Sequence, residues 1–575
     1  MSINSMRKIV VSLFLLVAIG VIFAGYKYKK QIKSLLLPKK ENVVRTNTGE
    51  PVLAVFSFQP EFENQIIDTF QHLNVWIFDS KKWKIKDDGL KSLDDNIPVL
   101  ITLETWGGKQ LLSRFNHPLQ EVADGKYDEV FKAMCTQWIG SRKNVYLRFD
   151  PDMEVPVTFY PWQYYGPGYI DAFRRFSEVC KKYAPQAKIV WGPAGYPGVM
   201  EFYPGDDVVD AATITLKSDT EMSLDVYPKN YPVKYELQRR LHRLRFMNKP
   251  IYVLGSKSSP NDSINAQLVT EIGNQIEEER DNIYSAKNFK RFDVREFRAG
   301  NETPEIGFYD PNSLMINEKP VTVEHLFADF GNLADGTFEK SFNEVLSRNH
   351  KIIVTFEPFR IPLIDRDDSV LQHITEGKYN KELEAFFKLI SSGNQEIYLR
   401  YAHEMEIPIT RYPWQSQNPV DYIHSFRYFM TFLKPWPENI KRVWGPAGDR
   451  GSIEWYPGND VVDFFSIAIY GLPDKNITDP NMQETFQTIF QRKFWRFRFI
   501  DKPLFITEFG VKGPEDFQTK WLEGAAKIIR ENHQIVGVNY FNMSDTPQAW
   551  GDIKPPDWSI SKQSFYRFLE VLNEN

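Results

Sequence analysis

Short apolar runs alternate with longer segments of helical pattern along most of the chain. In the second half the runs read KIIVTFE, EIYLRYA, RVWGPA, FFSIAIY, PLFITE and IVGVNYF. Helical patterns such as YNKELEAFFKLISS and TKWLEGAAKIIREN lie between them. Strand, helix, strand sustained over roughly 250 residues predicts an α/β fold of the (β/α)8 barrel type. A doubly wound open sheet is the alternative, but no GxGxxG follows the first strand, which weakens its dinucleotide-binding version.

The pattern occurs twice. YLRFDPDMEVPVTFYPWQ from Tyr146 returns as YLRYAHEMEIPITRYPWQ from Tyr398. Trp162 recurs at Trp414 (414 − 162 = 252), and Tyr203 of YPGDDVVD recurs at Tyr456 of YPGNDVVD (456 − 203 = 253). VWGPAG and Lys-Pro recur at the same spacing, at Val190 and Val443 and at Lys249 and Lys502. So constant an offset marks a duplicated domain rather than a short solenoid unit. The expected organisation is two tandem (β/α)8 barrels, 51–302 and 303–575, the first incomplete or closed in another way.

Ahead of the repeats, Ile9 to Tyr26 is an uncharged run of 18 residues, IVVSLFLLVAIGVIFAGY. That is near the lower limit for spanning a bilayer. Residues 1–30 are expected to form an uncleaved transmembrane signal-anchor, with 31–50 as a linker. A cleaved signal peptide is the alternative, but Ile22 stands two positions before Ala24 where a small residue belongs. More Lys follow the segment than precede it, which alone would leave the body in the cytoplasm. The opposite orientation, a single-pass cell-membrane protein with both barrels outside, is expected only if the barrels work on an exported polymer.

The net charge of −5 gives no bulk attraction to nucleic acid. Aromatics at 15% fit either large aromatic cores or a sugar-binding surface. Only two cysteines occur, Cys135 and Cys180, so no disulfide framework holds the fold. The 9 histidines show neither HxxxH nor HxH spacing, so no metal site and no cofactor is expected.

A barrel of this type places its chemistry at the C-terminal ends of the strands. In the second copy those ends carry Glu357, His403-Glu404, Trp444, Tyr470 and Glu508. Two carboxylates on separate strand ends can face each other across the mouth. Taken singly, each has a plainer reading: a solvated or capping Glu, a structural His, core tryptophans, and an Arg paired with a barrel acid.

Several ordered motifs together resemble family 26 of the glycoside hydrolases, the clan-A barrels typified by β-mannanases. RYAHEMEIPITRYPW resembles its Arg-x-x-His-Glu-Met and Tyr-Pro-Trp elements, and RVWGPAG its fifth strand. WYPGNDVVDFFSIAIYG resembles the segment leading to its Tyr, KPLFITEFG its nucleophile strand, and NYFN with DWSI its eighth strand and last helix. The resemblance covers 304–575. It implies Glu404 as general acid/base, Glu508 as nucleophile, and His403 and Tyr470 as orienting groups. Arg400 and Trp414 would support the site, Trp444 and Trp550 would offer faces to sugar rings, and Glu357 would face substrate or serve structurally. The chain departs from the family after Met405, where Glu406-Ile407-Pro408-Ile409-Thr410-Arg411 replaces the common Asn-Gly and short path to the Trp. Mannan specificity is therefore open, beside mixed-linkage β-glucan and β-1,3-xylan.

In the first copy Pro151 and Asp152 stand where His403 and Glu404 stand, and Gly255 stands at the position of Glu508. Tyr470 is matched by Leu216 or Lys217. Asp is one methylene shorter than Glu, and a displacement of about 1 Å can cost about 100-fold in rate. With no attacking carboxylate at all, the first copy is expected to be catalytically inactive. Its Trp106, Tyr160, Trp162 and Trp191 leave it either a glycan-binding relative or a packing partner.

The expected function is a membrane-anchored, retaining endo-β-glycanase acting on a polysaccharide or oligosaccharide outside the cytoplasmic membrane, with exopolysaccharide synthesis machinery as a candidate partner. A non-hydrolytic glycan-binding component of such a system, or a transglycosylase, is the alternative.

Overall fold

The computed structural model describes residues 44–47, 52–58, 71–77, 93–105, 118–140, 142–156, 160–216, 232–255, 266–284, 296–299, 302–360, 366–409, 411–472, 482–545, 550 and 554–574. The expected membrane segment 1–30 lies outside them, as do Trp106, Lys217 and all of the linker but 44–47. Among the described residues no helix is long and apolar enough to cross a membrane.

The second repeat closes into a barrel. Its strands are β9 (Glu305–Tyr309), β10 (Val323–Asp329), β11 (Lys351–Glu357), β12 (Ile397–Tyr401), β13 (Ile440–Trp444), β14 (Phe464–Phe465), β15 (Ala468–Tyr470), β16 (Leu504–Gly510) and β17 (Ile535–Phe541). All pair in parallel, and β17 returns to β9. β14 and β15 both pair with β16 and together serve as the sixth of eight staves. Helices such as Asn380–Ile390, Pro419–Met430 and Glu515–Glu531 cover the outside.

Period-2 alternation fills the barrel in layers. Val323, Ile353, Tyr398, Val443 and Phe505 form an apolar floor. Two residues further along four of these strands, His325, Thr355, Arg400 and Thr507 form a polar layer joined by hydrogen bonds. The site sits above that layer, at the strand ends.

The first repeat is a curled sheet instead. Six parallel strands, β3 (Gln71–Trp76), β4 (Val99–Glu104), β5 (Val145–Phe149), β6 (Lys188–Trp191), β7 (Ala211–Leu216) and β8 (Ile251–Gly255), repeat the second to seventh staves. Two tandem barrels are expected, the first incomplete or closed in another way, and the first is a curled sheet in place of a closed parallel barrel. β1 (Val44–Asn47) pairs antiparallel with β3, and β2 (Val52–Phe56) antiparallel with β8. Among the described residues β1 and β2 are not joined, so the sheet has two edges. The helix Ala266–Glu278 takes the place of Glu515–Glu531 at the offset of 253, and the described residues after it, 279–284, form a turn where the equivalent of β17 would begin. Val55 of β2 completes the apolar floor beside Leu100, Val190, Ala211 and Leu254.

The two repeats meet through equivalent residues, about a pseudo-twofold axis. Arg243 Nε lies 3.1 Å from Glu454 Oε2. Its equivalent Arg496 (496 − 243 = 253) has Nε 3.2 Å from Oε1 of Glu201, the equivalent of Glu454. His242 lies 2.8 Å from the Glu454 carbonyl, and Trp495 donates to the Glu201 carbonyl at 3.4 Å. Arg245 donates to Ile453 O at 3.3 Å, and Arg498 to Met200 O at 2.6 Å. Phe246 and Phe499, themselves equivalent, meet with ring centroids 5.9 Å apart. Each repeat thus offers the same patch to the other, as subunits of a twofold dimer do. Cys135 and Cys180 are both buried as free thiols.

Candidate active site

Arg400, on β12, organises the site from the polar layer. It is 1% exposed. Its Nε donates to Thr355 Oγ1 at 2.8 Å and its Nη1 to Thr507 Oγ1 at 2.9 Å. Nη2 donates to Glu508 Oε1, closing a buried ion pair. Thr507 in turn donates to Ser466 at 3.0 Å, and the Asn539 amide donates to the Thr507 carbonyl at 3.0 Å. The arginine stem lies against Gly445, where a Cβ would collide with Cγ and Cδ; that is the reason for glycine in VWGPAG.

Thr507 and Glu508 are adjacent on β16 yet both reach Arg400. In a regular strand they would face opposite sides. The pairing of β16 with β17 shifts register between Ile506 and Phe509, and this irregularity turns both side chains to the mouth. The Tyr470 hydroxyl donates to the other Glu508 oxygen, Oε2, at 2.9 Å. Tyr470 is braced by Trp558 of the DWSI segment, with ring centroids 4.8 Å apart.

Glu404 follows β12. Ala402 and Glu404 both take left-handed backbone, with φ of 43° and 53°, an uncommon and strained conformation for residues with a Cβ. The Glu404 N–H donates to the Gly445 carbonyl at 2.9 Å, and Gln415 donates to the Glu404 carbonyl at 3.3 Å. The residue keeps some solvent access. Desolvation pushes its carboxyl up to about 8, helped by the charges of Glu508 and Glu406 and opposed by Arg400 and Lys493. Glu357, at the end of β11, is buried and also pushed up to about 8, by desolvation first and then by the Asp329 charge.

His403 is buried with Nδ1 3.8 Å from Glu357 Oε1, beyond hydrogen-bonding reach. Desolvation, then the Arg400 charge, hold it well below its usual range and so neutral. Trp414 is fully buried, stacks on Tyr412 at 4.6 Å and donates its indole N–H to the His403 carbonyl at 2.8 Å. Trp444 is fully buried against Tyr456 and Phe497, so it packs the barrel wall and presents no face to the mouth. Trp550 is half-buried, its indole donating to Asp545 at 3.0 Å.

Three contributors lay outside the motif reading. Thr355 and Thr507 pin Arg400, and only their place in the alternation, two residues beyond the floor, signals them. Glu406 accepts from the Gly448 and Asp449 N–H groups at 2.8 and 3.1 Å and from Ser452 at 2.7 Å. The departure after Met405 thus begins with a clasp onto the loop behind the acid. Glu154 repeats the clasp, accepting from Gly195 and Tyr196 at 2.7 and 3.0 Å; that equivalence was its signal. Among the described residues no group of three or more His, Cys, Asp or Glu side chains is arranged to hold a metal ion.

The first repeat keeps the frame. Asp150 and Asp152 share the left-handed backbone, with φ of 37° and 58°. Tyr160 stacks on Trp162 at 4.8 Å, and Trp162 donates to the Pro151 carbonyl at 2.8 Å. Trp191 is fully buried against Tyr203. β8 ends on Leu254 and Gly255 where β16 carries Thr507 and Glu508.

No family model matches the chain. Among curated proteins it is similar to the beta-1,3-xylanase TXYA of a Vibrio species, 27% identical over 212 residues, which are 31% of this chain and 42% of that protein. It is also similar to a beta-1,3-xylanase of an Alcaligenes species, 25% identical over 155 residues, 26% of this chain and 29% of that one. The chain therefore spans less than half the length of either relative. Among solved structures it aligns with GH26C from a Muricauda species at 14% identity and a TM-score of 0.35, over 48% of this chain and 86% of that one. An endo-beta-mannanase/endo-beta-glucanase from Prevotella bryantii aligns at 12% identity and a TM-score of 0.36, over 84% and 87%.

Proposed function

We propose that the second barrel is a retaining endo-β-glycanase of the family-26 type, with Glu404 as general acid/base and Glu508 as nucleophile. The observation that carries this reading is the unequal setting of the two carboxyls. Glu508 accepts from a guanidinium and a phenol, while Glu404, without a paired cation, has its pKa raised to about 8. One acid that keeps its proton beside one carboxylate oriented to attack is the division of labour that glycoside hydrolysis requires.

In this reading a Glu508 oxygen bonds to the anomeric carbon as the bond to the leaving oxygen breaks, and the Glu404 proton passes to that oxygen. The Glu508 charge, one of the causes raising Glu404, is then spent in the ester bond. The Glu404 pKa then falls, so Glu404 stays ionised and takes the proton of the incoming water as the water oxygen displaces Glu508 from the anomeric carbon. Arg400 and Tyr470 fix the attack direction and receive the charge back at the end.

The curated relatives are β-1,3-xylanases, so β-1,3-xylan heads the substrates proposed here, ahead of mixed-linkage β-glucan and mannan. The first repeat, lacking an equivalent of Glu508, is read as non-catalytic. The apolar run Ile9 to Tyr26 is long enough to support a membrane anchor, and placing the barrels outside the cytoplasmic membrane rests on the proposed polysaccharide substrate. The mechanism is tested by following the first-formed product by proton NMR. Retention of the β-anomer is expected, and first appearance of the α-anomer would sink the double displacement.

A further inference from the structure

Arg148 holds in the first repeat the pose that Arg400 holds in the second. Its Nε donates to Thr102 Oγ1 at 2.9 Å, as Arg400 does to Thr355 at 2.8 Å. His72 and His325 lie against those two threonines at the same 2.8 Å. The stem of Arg148 lies on Gly192 as that of Arg400 lies on Gly445.

The two sites part at the outer nitrogens. Arg400 meets Thr507 and the Glu508 carboxylate, whereas the equivalent positions before Arg148 are Leu254 and Gly255. Arg148 Nη1 reaches only Thr213 at 3.3 Å, and Nη2 lies 3.4 Å from His72 Nε2. Arg148 is 5% exposed, yet among the described residues it forms no ion pair. The nearest acid in sequence, Asp150, is turned away, accepting from the Thr105 N–H and hydroxyl at 2.8 and 2.7 Å. A guanidinium cannot shed its charge, so burying it without a counter-charge is unfavourable unless something supplies one.

We propose that the mouth of the first repeat binds a carboxylate-bearing ligand at Arg148, its carboxylate taking the place that Glu508 fills in the second barrel. The second barrel shows that a carboxylate fits beneath such strand ends. It does so there despite Glu357 and Glu404, whose counterparts here are Glu104 and Asp152. Arginine matches a carboxylate with two donors in one plane, which favours this class over a neutral sugar. The carboxylate comes from a small organic acid or from an acidic sugar of the uronate class. This inference is independent of catalysis in the second barrel, since none of its residues belongs there.

The test is calorimetric titration of the full chain with acetate, glucuronate and glucose, at ionic strength matched with sodium chloride. Saturable binding of acetate or glucuronate, and none of glucose, is expected. Glucuronate at least 10-fold tighter than acetate identifies a sugar-borne carboxylate, and equal affinities a small acid. Gly255→Glu supplies the missing carboxylate from within and should weaken binding at least 10-fold, as should Arg148→Met. Should Arg148→Met not fold, Arg148→Lys, which loses the planar fork, serves in its place. No saturable binding of either acid, or undiminished binding in folded Gly255→Glu, would overturn the proposal.

Discussion

Arg400 and Glu508 form a buried ion pair, with the guanidinium held on its other side by Thr355 and Thr507. Removing one partner of such a pair leaves an uncompensated charge, at a cost of about 3–5 kcal/mol. Arg400→Met should therefore lower the melting temperature markedly. It should also cut kcat by about 100-fold or more, because Glu508 loses its orientation as well as its counter-charge. Arg400→Lys should keep much of the stability and recover little of the rate, since it lacks the planar fork. Equal recovery of both by Lys would show that charge alone matters.

The raised pKa of Glu404 gives two linked expectations. Activity on polysaccharide should fall as pH rises through about 8, where the acid loses its proton. Glu404→Gln should cost about 100- to 10,000-fold on polysaccharide, and much less on an aryl glycoside whose leaving group needs no proton. For stability, the folded pKa lies above the unfolded value of about 4.3. The favourable contribution is full below that value and is lost as pH rises through about 8. Glu404→Gln should thus melt higher than wild type at pH 8, with little difference at pH 4. Melting curves at both pH values check this.

The interface between the repeats has the opposite pH sign. Desolvation tends to raise the buried Glu454 carboxyl, but the charges of Arg239 and Arg243 outweigh it and bring the pKa down to about 2. A depressed folded pKa contributes stability that is present above about pH 4.3 and lost as pH falls through about 2. Arg243→Ala should lower the melting temperature at pH 7, by about 3 kcal/mol in free energy, and the difference from wild type should shrink below pH 3. An equal deficit at both pH values would mean that packing, not charge, carries the effect.

Much of the site was legible because its acids end strands. Glu357, Glu404 and Glu508 each follow an apolar run, and that position has meaning in a barrel before any relative is considered. The duplication sharpened this, since Gly255 marks what the first repeat lost. Thr355 and Thr507 are signalled only by their place two residues beyond the floor, because threonine is ordinary in strands and only the closed barrel brings both to Arg400. Trp444 read as a possible sugar platform, but its indole fills the wall beside Tyr456 and Phe497. The antiparallel pairing of β1 and β2 is not legible in the sequence, because pairing direction depends on chain reversal and not on the composition of a short apolar run. The partnership of Arg243 with Glu454 was equally hidden, since it joins residues 211 positions apart (454 − 243 = 211) outside any motif.

The most direct measurement is release of reducing ends by the full chain from β-1,3-xylan, mixed-linkage β-glucan and mannan, with Glu508→Gln and Asp152→Asn alongside. Wild type should cleave at least one of these. Glu508→Gln should lose about 1,000-fold or more, as expected for loss of a nucleophile. Asp152→Asn, in the repeat without an attacking carboxylate, should match wild type. Wild-type rates in Glu508→Gln, or a collapse in Asp152→Asn, would contradict the account.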